Sequence, residues 1–182
     1  LFWAILLTLI LFFFFFIAAL VGKRGDAAFH GTQIYAWIIL KVCGIRLKVR
    51  GKENIEPGQR YVILSNHASY FDPPALVLAL GLQYRWVIKK ELRKVPLFGL
   101  ALETSRNLFI DRSKGSDALE SIKRGVGQLP DGTSILMFPE GTRSWDGKLL
   151  PFKKGGFVIA QDGQLPIRPV TICGSHQRLP KG

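Results

Sequence analysis

An imidazole and a carboxylate stand five positions apart in the stretch Asn66-His67-Ala68-Ser69-Tyr70-Phe71-Asp72. If this loop bends back, Asp72 can accept a proton from one ring nitrogen of His67. The other nitrogen is then free to take a proton from a bound hydroxyl, the task of a general base. Asn66 and Ser69 read as supporting residues, Ser69 as a loop hydroxyl that holds backbone or carboxylate in place rather than as a nucleophile. A second reading stays open for this stretch taken alone. An aspartate ahead of Pro73 is also an ordinary helix N-cap, with His67 satisfying backbone groups of the turn.

Three other polar points follow apolar runs in the same manner. Lys89 follows Tyr84 to Ile88, Asp111-Arg112 follows Asn107 to Ile110, and Glu140-Gly141-Thr142-Arg143 follows Ser134 to Phe138. If these runs are strands of one largely parallel sheet, their exits share an edge, and a base, carboxylates and cations converge on one cleft. Lysine and the bidentate fork of arginine suit a phosphate. Gly141 permits close backbone approach or an unusual dihedral beside Glu140. The simplest chemistry is base-assisted attack of a bound hydroxyl on a reactive acyl group, without a covalent enzyme intermediate. General-base catalysis of that kind contributes typically ~10²–10⁴-fold. No G-x-S-x-G elbow, Walker loop or G-x-G-x-x-G fingerprint occurs in the chain. Serine-hydrolase and nucleotide-binding classes of those types are therefore unsupported. His30, His67 and His176 make no metal pattern with cysteine or carboxylate, so no metal and no tightly held cofactor are expected.

The elements that must position these groups alternate in type. Ile45 to Arg50 alternates strictly and predicts a half-buried strand with a basic outer face. Tyr61 to Ser65 predicts a buried strand, Pro74 to Leu80 a short helix, and Pro96 to Leu102 another. Leu119, Ile122, Val126 and Leu129 fall at helical spacing across Asp117 to Leu129. Gly156 to Gln161 predicts a helix and Pro166 to Ile172 a last strand. The expected fold class is α/β, with a mixed, largely parallel central sheet flanked by helices.

Ahead of that domain, Leu1 to Val21 carries no charge. A helix of that length reaches about 30 Å, and it reads as a membrane helix, with Lys23 and Arg24 placing the α/β domain on the cytoplasmic side. Ala27 to Cys43 predicts a second apolar or amphipathic helix suited to an interface. The expected division is residues 1–43 for membrane-associated helices and 44–182 for the α/β domain, with further chain expected at both ends. The net charge of +12 asks for an acidic partner: an anionic bilayer, a phosphorylated ligand or nucleic acid. Cys43 and Cys173 have no disulfide or metal spacing and are expected to be small buried hydrophobes.

Four segments now stand in order: Asn66-His67-x-Ser69-x-x-Asp72, Phe109-Ile110-Asp111-Arg112, Phe138-Pro139-Glu140-Gly141-Thr142-Arg143-Ser144 and Leu165-Pro166-Ile167-x-Pro169-Val170. The set resembles the motifs of the glycerolipid acyltransferases, closest to the bacterial 1-acylglycerol-3-phosphate acyltransferases, from about Gly44 to the end. The resemblance implies that His67 is the base on a glycerol hydroxyl and that Asp72 orients it. It implies that Arg143, Lys89 and Arg112 bind the acceptor phosphate and that Glu140, Gly141 and Thr142 shape the acceptor site. The segment from Pro166 to Val170 would lie near the acyl donor, either acyl-CoA or acyl carrier protein. The acceptor would be lysophosphatidic acid, the product phosphatidic acid, and the setting the anionic surface of a bacterial inner membrane, with no nucleic acid involved. One residue departs from the family pattern: Arg106 stands where Gly is usual in Gly-x-x-Phe-Ile-Asp-Arg. Two alternatives remain at this level. One is acyl transfer to a different lysolipid, such as a lysophospholipid or lyso-ornithine lipid. The other is a non-enzymatic binder of anionic lipid or nucleic acid that uses charge alone.

Overall fold

A computed structural model of the chain describes residues 26–95, 98–111, 120, 122 and 124–181. Five strands form one sheet: β1 (Val62–Ser65), β2 (Tyr84–Lys89), β3 (Leu108–Ile110), β4 (Ser134–Met137) and β5 (Ile167–Val170). Their order is β3-β2-β4-β1-β5 and every pairing is parallel. The expected mixed sheet is thus an all-parallel one. Such sheets need both faces covered, and the strands read accordingly as unbroken apolar runs: all four residues of β1 and of β4 are buried.

Alternation along the strands feeds two cores. Val62, Leu64, Val87, Ile135 and Met137 face one side, where Ile159 of α4 (Gly155–Asp162), Ile122 and Leu129 cover them. Ile63, Tyr84 and Leu136 face the other, against Leu76 and Val77 of α2 (Asp72–Ala79) and Phe29 and Ala36 of α1 (Asp26–Val42). Residues 124–127 are helical, within the range expected for the amphipathic helix. α3 (Phe98–Thr104) stands between β2 and β3. Helix α1 ends at Gly44, whose φ of 66° lets the Ile45 N–H reach back to the Leu40 carbonyl at 2.8 Å, the left-handed stop that glycine makes cheaply.

Helix α1 is pinned at its first turn. Arg85 of β2 is fully buried, and its Nη2 donates to Asp26 Oδ1 at 3.0 Å while Nη1 donates to Gln83 Oε1 and to the Tyr84 carbonyl. One face of α1 is therefore buried against the domain, while Ile34 and Trp37 stay about half exposed, with the Lys41 ammonium over the Trp37 ring.

Two further expectations are corrected. Ile45 to Arg50 is not a strand: it has no sheet partner, Leu47 and Val49 are exposed, and a cavity of about 530 Å³ separates it from the end of β5. Strict alternation describes any extended segment, and this one lies beside the sheet edge without reaching hydrogen-bonding distance. Cys43 and Cys173 are both exposed, because one follows the last turn of α1 and the other leaves the edge strand β5. Among the described residues no helix is long and apolar enough to cross a membrane. The expected membrane helix Leu1 to Val21, the flanking Lys23 and Arg24, and Arg112 lie outside the described residues.

Candidate active site

Because all five strands run the same way, their carboxyl ends open on one edge, and the loops after β1, β2 and β4 meet there. The β1 loop turns back on itself. His67 Nδ1 lies 2.8 Å from Asp72 Oδ2, and the same oxygen accepts the N–H groups of Ala68 (2.7 Å) and Ser69 (2.8 Å). Asp72 opens α2, yet its carboxylate turns to the loop rather than capping the helix: the cap position is Phe71, with no side-chain cap. The open alternative between cap and dyad is thus resolved geometrically in favour of the pair.

Asp72 is fully buried. Burial works to raise its pKa, but hydrogen bonds from His67, Ser175 and the backbone of Ser69 and Ala68 outweigh it and hold the carboxyl below its ordinary value. The group is an anion that can only accept, so Nδ1 of His67 carries the proton and Nε2 is the basic nitrogen. The ring is fixed further by stacking on Phe138, with centroids 3.8 Å apart and planes 10° from parallel.

His67 lines a cavity of about 280 Å³ together with Lys89, Thr142 and Arg143. Its remaining wall is apolar, made by Trp86, Val87, Leu92, Leu102 and Phe138. Arg143 lies flat on Tyr70, the guanidinium carbon 3.4 Å from the ring centroid, and its Nη1 is buried without a hydrogen-bond partner. Stacking sets the plane of the fork while leaving its donors for an anion. Lys89 makes a loose 3.9 Å pair with Glu91 and is largely exposed. Gly141 adopts φ 75°, in the left-handed region, beside Glu140.

Other expected site residues serve the frame. Glu140 is buried and holds two loops at once: Oε1 accepts the His67 N–H at 2.6 Å and Oε2 the Leu150 N–H at 2.9 Å. Asn66 clamps Ile172 through both ends of its amide. The Ser69 hydroxyl donates to the Leu179 carbonyl at 2.7 Å, the structural part expected of it. Pro166 is not brought to the cleft. It precedes β5, where its carbonyl accepts the Val62 N–H at the far end of the sheet. Asp111 pairs with Lys90 at the β3 exit. No cluster of histidine, cysteine and carboxylate that could hold a metal occurs among the described residues. Sequence reasoning assigned no part to Tyr70, Phe138 as a stacking partner, Ser175 or Lys181, whose Nζ reaches Thr142 Oγ1 at 3.1 Å. Only Phe138 carried a signal, as the aromatic opening the Glu140 motif.

The family model for acyltransferases matches residues 46–173. A 1-acyl-sn-glycerol-3-phosphate acyltransferase of Limnanthes douglasii is 37% identical over 150 residues, covering 82% of this chain and 53% of the relative. The alpha form from Homo sapiens is 38% identical over 148 residues, covering 76% of this chain and 52% of the relative. The chain thus spans about half the length of these relatives. The crystal structure of the 1-acyl-sn-glycerophosphate (LPA) acyltransferase PlsC from Thermotoga maritima superposes with a TM-score of 0.77 at 27% identity, covering 93% of this chain and 69% of that one. With a His67–Asp72 pair at the shared edge of a parallel sheet, and a match over residues 46–173, the chain belongs to the acyltransferase family.

Proposed function

We propose that the protein transfers a fatty acyl group from a thioester donor, acyl-CoA or acyl carrier protein, to the sn-2 hydroxyl of 1-acylglycerol-3-phosphate, giving phosphatidic acid. The observation that carries this reading is one cavity holding a carboxylate-oriented imidazole, a stacked arginine with unused donors, and an apolar wall. His67 Nε2 takes the proton of the acceptor hydroxyl as its oxygen attacks the thioester carbonyl. The tetrahedral intermediate collapses with cleavage of the C–S bond, and the imidazolium returns the proton to the leaving thiolate. Arg143, Lys89 and Arg112 bind the acceptor phosphate, and the apolar wall takes an acyl chain. No resident cofactor is required.

The reaction is placed at a bilayer, since acceptor and product are lipids. Leu1 to Val21 anchors the chain, and the exposed Ile34 and Trp37 with Lys41, Arg46, Lys48 and Arg50 face anionic headgroups, each basic residue contributing about 1 kcal/mol near the surface. The setting is the cytoplasmic face of a bacterial inner membrane. Purified protein assayed against a panel of lysolipids tests the reading: lysophosphatidate is expected to be the best acceptor, because the cationic fork suits a phosphomonoester. His67→Ala is expected to lose ~10²-fold or more of kcat with vesicle binding intact. Arg143→Ala raises the acceptor KM. Full activity of His67→Ala would overturn the mechanism, and a preference for another lysolipid would overturn the acceptor.

A further inference from the structure

The chain leaving β5 folds back over the cleft and touches both loops that build it. Asn66 of the β1 loop clamps the backbone of Ile172. The His176 ring lies against Gly147 of the β4 loop, where an added Cβ would come within 3.0 Å of it. The Arg178 and Leu179 N–H groups donate to the Ser175 carbonyl and close a turn, and the Leu179 carbonyl accepts the Ser69 hydroxyl at 2.7 Å. Pro180, its φ fixed by the ring, leads from there to Lys181. The backbone on which Lys181 stands is thus set by the site loops themselves.

The Lys181 ammonium comes to rest on the segment that carries Arg143. Nζ donates to Thr142 Oγ1 at 3.1 Å and, more weakly, to the Arg143 carbonyl at 3.5 Å, and it lies 4.4 Å from the centroid of the Trp145 ring. The acids of this loop are engaged elsewhere. Glu140 accepts the His67 and Leu150 N–H groups, and Asp146 accepts the Ser144 hydroxyl and the Lys148 N–H. The lysine donors therefore serve the Thr142–Arg143 segment rather than an ion pair.

Arg143 gains from this. Its guanidinium is laid flat on Tyr70, and its Nη1 is buried without a hydrogen-bond partner, so the far end of the side chain is set. The near end depends on the backbone. On one side the Ser144 N–H is tied to the His67 carbonyl at 2.9 Å. On the other stand Thr142, held by Lys181, and Gly141, which has no side chain to stiffen the loop. We propose that Lys181 is a positioning residue of the acceptor-phosphate site: its ammonium clasps Thr142 and the Arg143 carbonyl, so that the guanidinium meets the phosphate already ordered. This rests on the reading of Arg143 as a phosphate-binding residue. A preordered fork loses less freedom on binding, so removal of the clasp weakens acceptor affinity and leaves the proton transfer at His67 in place.

The test is steady-state acyl transfer from acyl-CoA to lysophosphatidate by the full chain, each substrate varied in turn. Lys181→Met keeps an apolar stem over Trp145 and removes the ammonium. It is expected to raise the lysophosphatidate KM about tenfold, the size of one lost charged hydrogen bond, while kcat and the acyl-CoA KM move by less than about threefold. Lys181→Arg keeps charge and donors and is expected to stay within about threefold of the parent KM. Added to Arg143→Ala, Lys181→Met is expected to raise the KM no further, since the lysine works through the arginine. An unchanged lysophosphatidate KM in Lys181→Met overturns the proposal, and so does an Arg variant as impaired as Met. Equal losses in kcat and in both KM values overturn it too, as the mark of a general loosening of the loops. Effects that multiply in the double variant overturn it by making Lys181 an independent anion ligand. Arg143→Ala alone separates the two readings. If its KM is unchanged, the phosphate assignment fails; if it is raised while that of Lys181→Met is not, only the lysine proposal fails.

Discussion

The loops leaving β1 and β4 and those leaving β2 and β3 open on the same sheet edge, but different forces hold them. On the β1–β4 side two buried carboxylates, Asp72 and Glu140, accept five N–H donors, four of them backbone or ring N–H groups of residues 67–69. The Ser144 N–H adds a bond to the His67 carbonyl at 2.9 Å. On the β2–β3 side the ties are surface ion pairs: Lys89 with Glu91, Lys90 with Asp111 and Arg93 with Glu103, mostly near half exposed. Charged hydrogen bonds out of water are strong and directional, whereas exposed pairs contribute about 0–1 kcal/mol. The labour divides accordingly. His67 is held rigidly, as the proposed proton transfer would require, while the β2–β3 wall is tied only by exposed pairs that leave it adjustable.

The largest expected effect lies at Glu140, where the contrast between the two sides can be undone. Glu140→Ala strands the N–H groups of His67 and Leu150 inside the protein, at about 1–3 kcal/mol for each. A loss of roughly 2–5 kcal/mol in urea unfolding is expected, and activity falls with it as His67 loses its backbone anchor. A loss below about 1 kcal/mol would show that the β1–β4 side is no better braced than the other.

Glu140 also marks where the sequence stopped being legible. His67, Asp72, Lys89 and Arg143 could be read because their information is local: a polar residue directly after an apolar run sits at a strand exit, and parallel strands bring exits together. That Glu140 bonds the backbone of a residue 73 positions away is a property of strand order, which no local spacing encodes. The Ser69–Leu179 bond, 110 positions apart, was hidden for the same reason. Glu140 was read as an acceptor-site residue because motif membership says that a residue matters, not which way its side chain turns. Ile45 to Arg50 failed in the opposite way. Its period-2 pattern was real, but pairing needs a neighbour within reach, and the cavity beside β5 keeps one away. The all-parallel order could be anticipated only as a tendency, from alternating elements.

An effect of middle size is expected on the β2–β3 side. Arg106 has φ 54°, in the left-handed region, which explains why glycine is usual at this point of the family pattern. A side chain there costs about 1–2 kcal/mol, and Arg106 adds repulsion toward the buried Arg85. Arg106→Gly relieves both and loses part of the gain to chain entropy, so a net stabilisation of about 0.5–1 kcal/mol is expected from thermal unfolding. Destabilisation would mean that the arginine makes good its own strain, and that this side is held more firmly than its surface pairs suggest.

The smallest effect tests those pairs directly. Arg93 donates to Glu103 of α3 through Nε at 3.3 Å and through Nη2, and its guanidinium lies 5.8 Å from the Phe109 ring. It joins the short 3-10 helix Lys90–Lys94 to α3 and β3, so if any exposed pair stiffens this wall, it is this one. Both side chains are about half exposed, so solvent and salt screen the attraction, and fixing two long side chains costs rotamer entropy. A double-mutant cycle of Arg93→Ala and Glu103→Ala is expected to give a coupling of at most about 1 kcal/mol, falling as salt is raised. A coupling above about 2 kcal/mol that survives high salt would place this bridge with the buried carboxylates, since only desolvated pairs behave that way. The adjustable wall would then have to be sought elsewhere along the same edge.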